Sequence, residues 1–193
     1  MARVAFIVGE MFEDSELQVP YDKVRAAGHD PVLIGVDANK TITGKKGKHT
    51  ITTAKGIDEV APGDFDALVI PGGYSPDHLR MNQAMVHLVR EMANNDRPVA
   101  AICHAGWMLV EADVADSRTL TSWPSIKTDL LNAGAIWVDR EVVEDGNLIP
   151  ARNPSDLPAF CSALLRQLEE GPARRIQPPP GAPEATMQDP PVH

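Results

Sequence analysis

The residues best suited to chemistry in this chain are Cys103 and His104, which directly follow the apolar run Val99–Ile102. The small residues Ala105 and Gly106 come next and open a helical pattern. This order is typical of a nucleophile elbow, in which a strained strand-to-helix turn points the nucleophile away from the sheet. The positive end of the helix dipole lowers the pKa of a thiol at such a place. The pattern therefore predicts a reactive thiolate at Cys103.

The same pattern also has a purely structural interpretation. Free cysteines are usually buried and behave as small apolar residues, and strand-to-helix turns occur in many α/β proteins without catalysis. Both interpretations of Cys103 stay open at this level. The second cysteine, Cys161, stands beside Phe160 in an apolar helical pattern, which indicates core packing.

A cysteine nucleophile needs help to lose its proton and to stabilise the oxyanion formed on attack. His104 adjoins the thiol in sequence, although it is equally compatible with a surface or core histidine. The pair Gly72-Gly73 follows another apolar run. Glycine permits close approach to bare backbone N–H groups, so the pair fits an oxyanion hole or an ordinary tight turn.

A third source of help is the acidic segment after the first apolar run. Glu13 supplies a carboxyl that can share a hydrogen bond with the thiol. The segment also has a structural explanation, in which Asp14 or Ser15 caps a helix and Glu16 adds favourable charge to its first turn. The two explanations are compatible because the polar residues are adjacent.

Apolar runs typical of buried strands alternate with helical patterns along the chain. This alternation predicts βαβ units and a mostly parallel sheet covered on both faces. The carboxyl ends of parallel strands share one edge of a sheet, so we expect Glu13, Gly73 and Cys103 to converge there. The predicted strands are 4–9, 31–36, 41–43, 49–53, 67–70, 99–102, 119–122, 136–139, 142–143 and 147–149. The predicted helices are 15–27, 82–95, a helix that runs from the elbow after Cys103 to residue 111, 125–132 and 155–169.

The turn between strands 41–43 and 49–53 contains Lys45, Lys46 and Lys48. We interpret this cluster of lysines as a solvated turn, the usual fate of exposed charged residues.

Composition predicts one domain over residues 1–170 and a Pro-rich tail over 171–193, where apolar periodicity stops. The net charge of −9 argues against a general nucleic-acid binder. Two cysteines do not make a disulfide framework, which favours a reducing cytoplasm. The first apolar run is too short for a signal peptide, and none approaches the length of a membrane span.

Several sites are made improbable by missing motifs. The sequence contains neither a Cys-x-x-Cys motif nor a cluster of histidines, so it does not indicate a structural zinc site. Neither a glycine-rich dinucleotide motif nor a Walker motif is present, and the acidic segment after the first strand would repel phosphate. The serine-hydrolase elbow G-x-S-x-G is also absent. We therefore expect neither a metal nor a cofactor.

From residue 3 to about residue 168 the chain resembles the PfpI family of cysteine peptidase-like and general stress proteins, within the class I glutamine amidotransferase-like superfamily. Several segments in the same order carry the resemblance. They are Phe12-Glu13-Asp14-Ser15-Glu16-Leu17, Thr41-Ile42-Thr43-Gly44-Lys45, residues 65–73, Ala101-Ile102-Cys103-His104 and residues 132–139. The resemblance implies a flavodoxin-like three-layer α/β sandwich with a nucleophile elbow, assembled as a homodimer or a larger ring of dimers.

The resemblance also implies roles for individual residues. Cys103 matches the family nucleophile and Glu13 its acidic partner. Gly73, within the Gly72-Gly73 turn, matches the oxyanion-hole glycine, with the N–H of His104 as second donor. In peptidase-like members an acidic residue after this turn reaches the histidine of an adjacent subunit, and Asp77 stands at that position.

Three positions depart from the family pattern. Asp77 is one methylene shorter than the expected glutamate, which puts the intersubunit triad in doubt. Ala105 stands where many relatives have glycine, so its Cβ can reshape the pocket. Trp123 replaces a frequent tyrosine, which removes a phenolic hydrogen bond and adds an apolar wall. The His-x-Glu pair of the amidotransferases is absent, because His193 is the only histidine after His104.

Our first hypothesis is a cytoplasmic cysteine hydrolase that uses Cys103, tuned by Glu13. It acts either as a weak peptidase or on glyoxal-type adducts, so its substrate is a peptide or a small carbonyl adduct. The alternative is a non-enzymatic stress protein, a redox sensor or chaperone-like factor that works through oxidation of a low-pKa Cys103. A third hypothesis is an inert relative whose site has drifted.

Overall fold

A computed structural model describes residues 1–177. The strands, in chain order, are β1 (Arg3–Ile7), β2 (Asp30–Gly35), β3 (Thr41–Thr43), β4 (Thr50–Thr52), β5 (Lys55–Gly56), β6 (Ala67–Ile70), β7 (Val99–Ile102), β8 (Thr119–Leu120), β9 (Ile136–Trp137) and β10 (Leu148–Ala151). The helices are α1 (Asp14–Ala26), α2 (Ser75–Leu79), α3 (Gln83–Asn94), α4 (Gly106–Glu111), α5 (Lys127–Asn132) and α6 (Leu157–Glu170).

The central sheet has six strands in the order β10-β7-β6-β1-β2-β5, all parallel to their neighbours. The carboxyl ends of β1, β6 and β7, which are adjacent in the sheet, therefore lie along one edge. The segments that carry Glu13, Gly73 and Cys103 leave the sheet at this edge, as the sequence predicts.

Alternate residues of the central strands pack on opposite faces, as the period of a strand requires. Val4 and Phe6 of β1 join a core cluster with residues of α1 and α6. Ala5 and Ile7 join the opposite cluster, which holds residues of α3, α4 and α5. Both clusters are almost completely buried. The result is a three-layer sandwich, which confirms the predicted flavodoxin-like α/β fold.

Two small units lie outside the central sheet. Strands β3 and β4 form an antiparallel hairpin, which we call the lysine hairpin because Lys45, Lys46 and Lys48 lie in its turn. Strands β8 and β9 form a short parallel pair.

The sequence missed some elements and overextended others. Strand β5 and helix α2 were not predicted, because both are short and lack a clear apolar period. The strand predicted at 142–143 is only an isolated bridge between Val142 and Ala151. The strands predicted at 119–122 and 136–139 are each reduced to two residues.

Residues 171–177, which we call the C-terminal segment, are bound to the body of the protein through Asp145. This carboxylate is fully buried. Its Oδ1 accepts a hydrogen bond from the Ile176 N–H at 2.8 Å and lies 3.6 Å from Arg175 Nε. Its Oδ2 accepts one from the Thr119 N–H at 2.7 Å and lies 3.6 Å from Arg118 Nε. The predicted domain boundary at 170/171 stays a prediction, and residues 178–193 of the predicted tail lie outside the described residues.

Within residues 1–177, no helix combines the length and the hydropathy that crossing a lipid bilayer requires.

We expect the C-terminal segment to stabilise the fold. A chain truncated after Gly171 should unfold at a lower urea concentration than one truncated after Gln177, because the shorter chain leaves the buried Asp145 carboxylate without the Ile176 N–H. A hydrogen bond to a charged group contributes about 1.5–3 kcal/mol. Urea unfolding of the two truncated chains measures the difference, and equal midpoints would contradict this role for the segment.

Candidate functional site

The backbone turns sharply at Cys103, directly after β7. Cys103 has φ +63°, in the left-handed region, which costs a residue with a Cβ about 1–3 kcal/mol. Residues Cys103–Ala105 form a single 3-10 turn before α4 begins at Gly106. Cys103 thus occupies the strained position of a nucleophile elbow.

The thiol of Cys103 is buried, with 6% of the residue exposed. Its Sγ lies 3.3 Å from His104 Nδ1. The backbone N–H groups of His104 and Gly73 also face the sulfur, and their role as oxyanion donors stays a prediction. Among the described residues, these groups and the Glu16 carboxyl form the polar surroundings of the thiol.

The pKa of the Cys103 thiol is raised to about 12, which contradicts the thiolate expected from the sequence. Burial is the main cause, and the charge of Glu16 adds to it. The N–H groups of His104 and Gly73 and the charge of Lys45 lower the pKa, but they do not compensate. The helix-dipole argument failed because it ignored desolvation, which disfavours a buried anion. Burial beside Glu16 therefore favours the protonated form of the thiol in the free site.

Glycine is required at both positions of the Gly72-Gly73 turn. Gly73 has φ +81°, and a Cβ on it would lie 2.5 Å from Glu13 N and from Met11 O. A Cβ on Gly72 would lie 2.5 Å from Glu16 Oε2 and 2.7 Å from Cys103 Cβ. The bare turn thus allows the acidic segment and the elbow to approach each other closely.

The carboxyl beside the thiol belongs to Glu16, and the predicted partner Glu13 is not brought to it. Glu16 is fully buried, its Oε2 accepts the Gly72 N–H at 2.9 Å, and its side chain faces the Cys103 thiol. Within residues 1–177 its Oε1 has no hydrogen-bond partner. Burial raises the pKa of Glu16 to about 7, opposed by the Gly72 N–H and assisted by the charge of Glu13.

Glu13 has a different role, because it precedes α1 and faces the lysine hairpin. Its Oε2 lies 2.7 Å from Lys45 Nζ and its Oε1 lies 2.6 Å from Lys46 Nζ. Burial alone would raise the pKa of this carboxyl, but the two ammonium groups hold the pKa below its ordinary value. The lysines lie in an exposed turn, as the sequence predicted, but Lys45 and Lys46 also pair with Glu13, which the sequence did not indicate.

Helical geometry explains the exchange of roles between the two glutamates. Glu16 lies in the first turn of α1, in a buried stripe with Leu17, Pro20 and Val24. A carboxyl at a buried position of a helix is uncommon. That position within the apolar stripe was the signal that could have identified Glu16 from the sequence.

The capping role expected of Asp14 or Ser15 was also wrong. Glu13 is the N-cap residue of α1, and no side chain caps it. The buried Asp14 carboxylate instead accepts the backbone N–H groups of Lys46, Lys48 and His49 at 2.9, 2.9 and 2.8 Å. Although burial opposes it, these bonds hold the pKa of Asp14 below its usual value.

His104 uses both ring nitrogens within one chain. Its Nδ1 faces Cys103 Sγ, and its Nε2 lies 3.2 Å from Ser125 Oγ. Burial, followed by the charge of Lys45, lowers the pKa of His104, so the ring is neutral at neutral pH. No pattern in the sequence indicated Ser125, because only the fold brings it close to the elbow.

The remaining predicted positions lie around this centre. Trp123 is 40% exposed and its ring centroid lies 6.3 Å from that of His104, as an apolar wall requires. Ala105 is fully buried among core residues, so its Cβ fills the core and does not reshape the pocket. Asp77 lies in α2, and the structure of one chain does not bring it to His104. Its contact across subunits stays a prediction.

Comparisons with known proteins agree with this geometry. A model of the DJ-1/PfpI family matches residues 2–167. "Protein/nucleic acid deglycase 2" of Escherichia coli is 46% identical over 167 residues, which cover 86% of this chain and 97% of that protein. "General stress protein 18" of Bacillus subtilis is 40% identical over 169 residues, covering 87% and 98% of the two chains.

Solved structures show the same fold. DJ-1beta of Drosophila melanogaster superposes with a TM-score of 0.81 at 28% identity, covering 86% of this chain and 90% of that chain. A protein of Anabaena variabilis with DJ-1/ThiJ/PfpI-like and ferritin-like domains has a TM-score of 0.86 at 35% identity, and the match covers 94% of this chain and 52% of that chain. This chain belongs to the DJ-1/PfpI family.

Proposed function

We propose that this protein is a Cys103-dependent deglycase that removes glyoxal-type adducts from amines or thiols. One observation carries the proposal: the Cys103 thiol lies between two backbone N–H groups, from Gly73 and His104, and the protonatable carboxyl of Glu16. This arrangement supplies a nucleophile, an oxyanion hole and a proton acceptor. Several similar proteins are named deglycases, which supports the same activity.

Glu16 is the group that we assign to proton transfer. Because the pKa of the thiol is raised to about 12, attack on a carbonyl requires a base that takes the proton as the S–C bond forms. The pKa of Glu16, about 7, makes its carboxylate and its acid similarly populated at neutral pH. One group can then accept a proton in one step and donate it in the next.

The reaction balances without an external oxidant. With a glyoxal adduct of an amine, the thiol adds across the free aldehyde, and its proton passes through Glu16 to the oxygen. Collapse of the carbinolamine breaks the C–N bond, and its hydroxyl proton passes to the departing nitrogen. A hydrogen shift between the two glyoxal carbons then gives a thioester of glycolic acid. Water hydrolyses this thioester, so adduct and water give amine, glycolate and a proton.

The raised pKa of Cys103 also bears on the redox alternative. Peroxide reacts with the thiolate form of a cysteine, and burial beside Glu16 reduces the thiolate fraction. The geometry therefore supports a hydrolase better than a redox sensor. Weak peptidase action would use the same nucleophile and the same N–H groups.

We expect Cys103→Ser to abolish turnover of methylglyoxal adducts of lysine, cysteine and guanosine nucleotides, and of any peptide that the protein cleaves. Glu16→Gln should lower kcat/KM by about 100-fold, because a positioned base contributes at least that factor. Glu13→Gln is the matched control, since Glu13 contacts lysines and not the thiol. Release of free amine or thiol measures turnover. Equal losses in the two glutamate variants would contradict the assignment to Glu16, and activity of Cys103→Ser would refute the proposed function.

The pH dependence of Cys103 alkylation should reflect the raised pKa. With iodoacetamide, we expect the rate in the wild-type protein to keep rising above pH 9, because thiolate forms late. Glu16→Gln removes a neighbouring negative charge, so its midpoint should move to lower pH. The variant would thus gain thiol reactivity while losing turnover. A wild-type midpoint below the ordinary value of about 8.5 for free cysteine would contradict the buried, protonated thiol.

We also propose that the protein is a homo-oligomer in which Asp77 of one subunit reaches His104 of another. The exposed side chains of Tyr74 and Met81, 61% and 83% accessible, flank α2 and support an interface there. Asp77→Ala and His104→Ala chains should each have low activity, whereas random co-assembly should restore one of the two sites in each mixed dimer, or about a quarter of all sites. Sedimentation measures the assembly. No recovery in mixed dimers would show that Asp77 serves no neighbouring site.

A further inference from the structure

The lysine hairpin is hydrogen bonded directly to the loops that form the candidate site. The Met11 N–H donates to Thr43 O at 3.0 Å, and the Lys45 N–H donates to Phe12 O at 2.8 Å. The same loop pairs on its other side with the glycine turn, since the Glu13 N–H donates to Gly72 O at 3.1 Å. The loop that holds Lys45 is therefore hydrogen bonded on its other side to the Gly72-Gly73 turn, whose Gly73 N–H faces the thiol.

Asp14 fixes the conformation of this turn. Its carboxylate receives the three backbone N–H groups described above, and a Cβ on Gly44 would lie 2.6 Å from the carboxylate carbon and oxygens. The turn is thus closed around a buried acceptor. The ammonium groups of Lys45 and Lys46 contact Glu13, while both side chains stay partly accessible to solvent.

Lys45 and Lys46 belong to a charged cluster beside the site, in which both ammonium groups pair with Glu13 and the carboxylate of Asp14 accepts backbone N–H groups of the same turn. Two ammonium groups contact the single carboxylate of Glu13, and Glu16 is only partly ionised at neutral pH. Lys45 is the less exposed of the two, with 32% of its side chain accessible against 50% for Lys46. Its charge acts on Cys103, Glu16 and His104. A lysine ammonium has three N–H donors, of which Glu13 Oε2 takes one.

We propose that Lys45 is an anion-binding residue of this site, which receives a carboxylate on the ligand that reacts at Cys103. The anion class rests on the proposed function, because deglycation converts a neutral carbonyl carbon into the carboxylate of a hydroxy acid. Lys45 then binds the product and favours substrates that already carry a carboxylate beside the reacting carbonyl. Lys46 remains with Glu13 and keeps that carboxylate paired.

The test uses two alkylating agents of similar size and different charge, so that it does not depend on turnover. Iodoacetate carries a carboxylate next to its reacting carbon, and iodoacetamide is its neutral counterpart. The rate of alkylation at Cys103 is measured by mass spectrometry of the digested protein, which distinguishes the peptide with Cys103 from the one with Cys161. We expect Lys45→Met to lower the ratio of the iodoacetate rate to the iodoacetamide rate by about fivefold, the scale of one nearby charge. Lys45→Arg should preserve the ratio.

Lys46→Met is the matched control, and it should change the ratio less than Lys45→Met. An unchanged ratio in Lys45→Met, or an equal change in both methionine variants, would overturn the assignment to Lys45. Lys45→Gln provides a second neutral variant if Lys45→Met does not fold. Glycolate should also protect Cys103 from iodoacetamide in the wild-type protein, and should protect it less in Lys45→Met. If deglycase activity is absent while the alkylation ratio falls as expected, the proposed function fails and the anion site stands.

Discussion

The hydrogen bond from the Gly72 N–H to the buried Glu16 carboxyl is the contact on which the rest of the site depends. It joins the first turn of α1 to the turn after β6, at the edge where β7 delivers Cys103. Only a glycine turn permits this approach, because a side chain at position 72 would occupy the space of both the carboxyl and the cysteine. The same contact removes Glu16 from water, and that burial raises its pKa into the neutral range.

The electrostatics of the site follow from separating two carboxyls that are three residues apart in sequence. Glu13 is neutralised by two lysines and stays ionised. Within residues 1–177 no cation pairs with Glu16, and burial raises its pKa to about 7. Groups whose pKa values are driven apart by different environments are suited to different chemical tasks. Here the ionised glutamate holds the lysine hairpin in place, while the protonatable one faces the thiol.

Much of the architecture could be predicted from the sequence. Apolar runs at β1, β6 and β7 specify buried parallel strands, and the Cys103-His104 pair directly after such a run specifies the elbow. What failed was the choice among neighbouring polar residues. In the segment that contains Glu13, Asp14 and Glu16, all three carboxyls are buried, and a rotation of about 100° per residue decides which neighbour each one faces. The partner of each one lies in a segment distant along the chain, so the sequence alone does not identify it. The prediction of a lowered pKa for Cys103 was wrong for a related reason, because desolvation of the thiol depends on the packing of all three layers.

The C-terminal segment has a consequence for how this chain can be linked to other proteins. It is bound by Asp145, which lies close to the start of β10, and β10 is in register with β7 from its first residue, Leu148, opposite Val99. Asp145 is therefore near the amino ends of these strands, whereas Cys103 follows the carboxyl end of β7. The family match stops at residue 167, and residues 171–177 lie at the edge of the sheet opposite the thiol. A fusion partner joined at Gln177 would be tethered there, with the sheet between it and the entrance to the site.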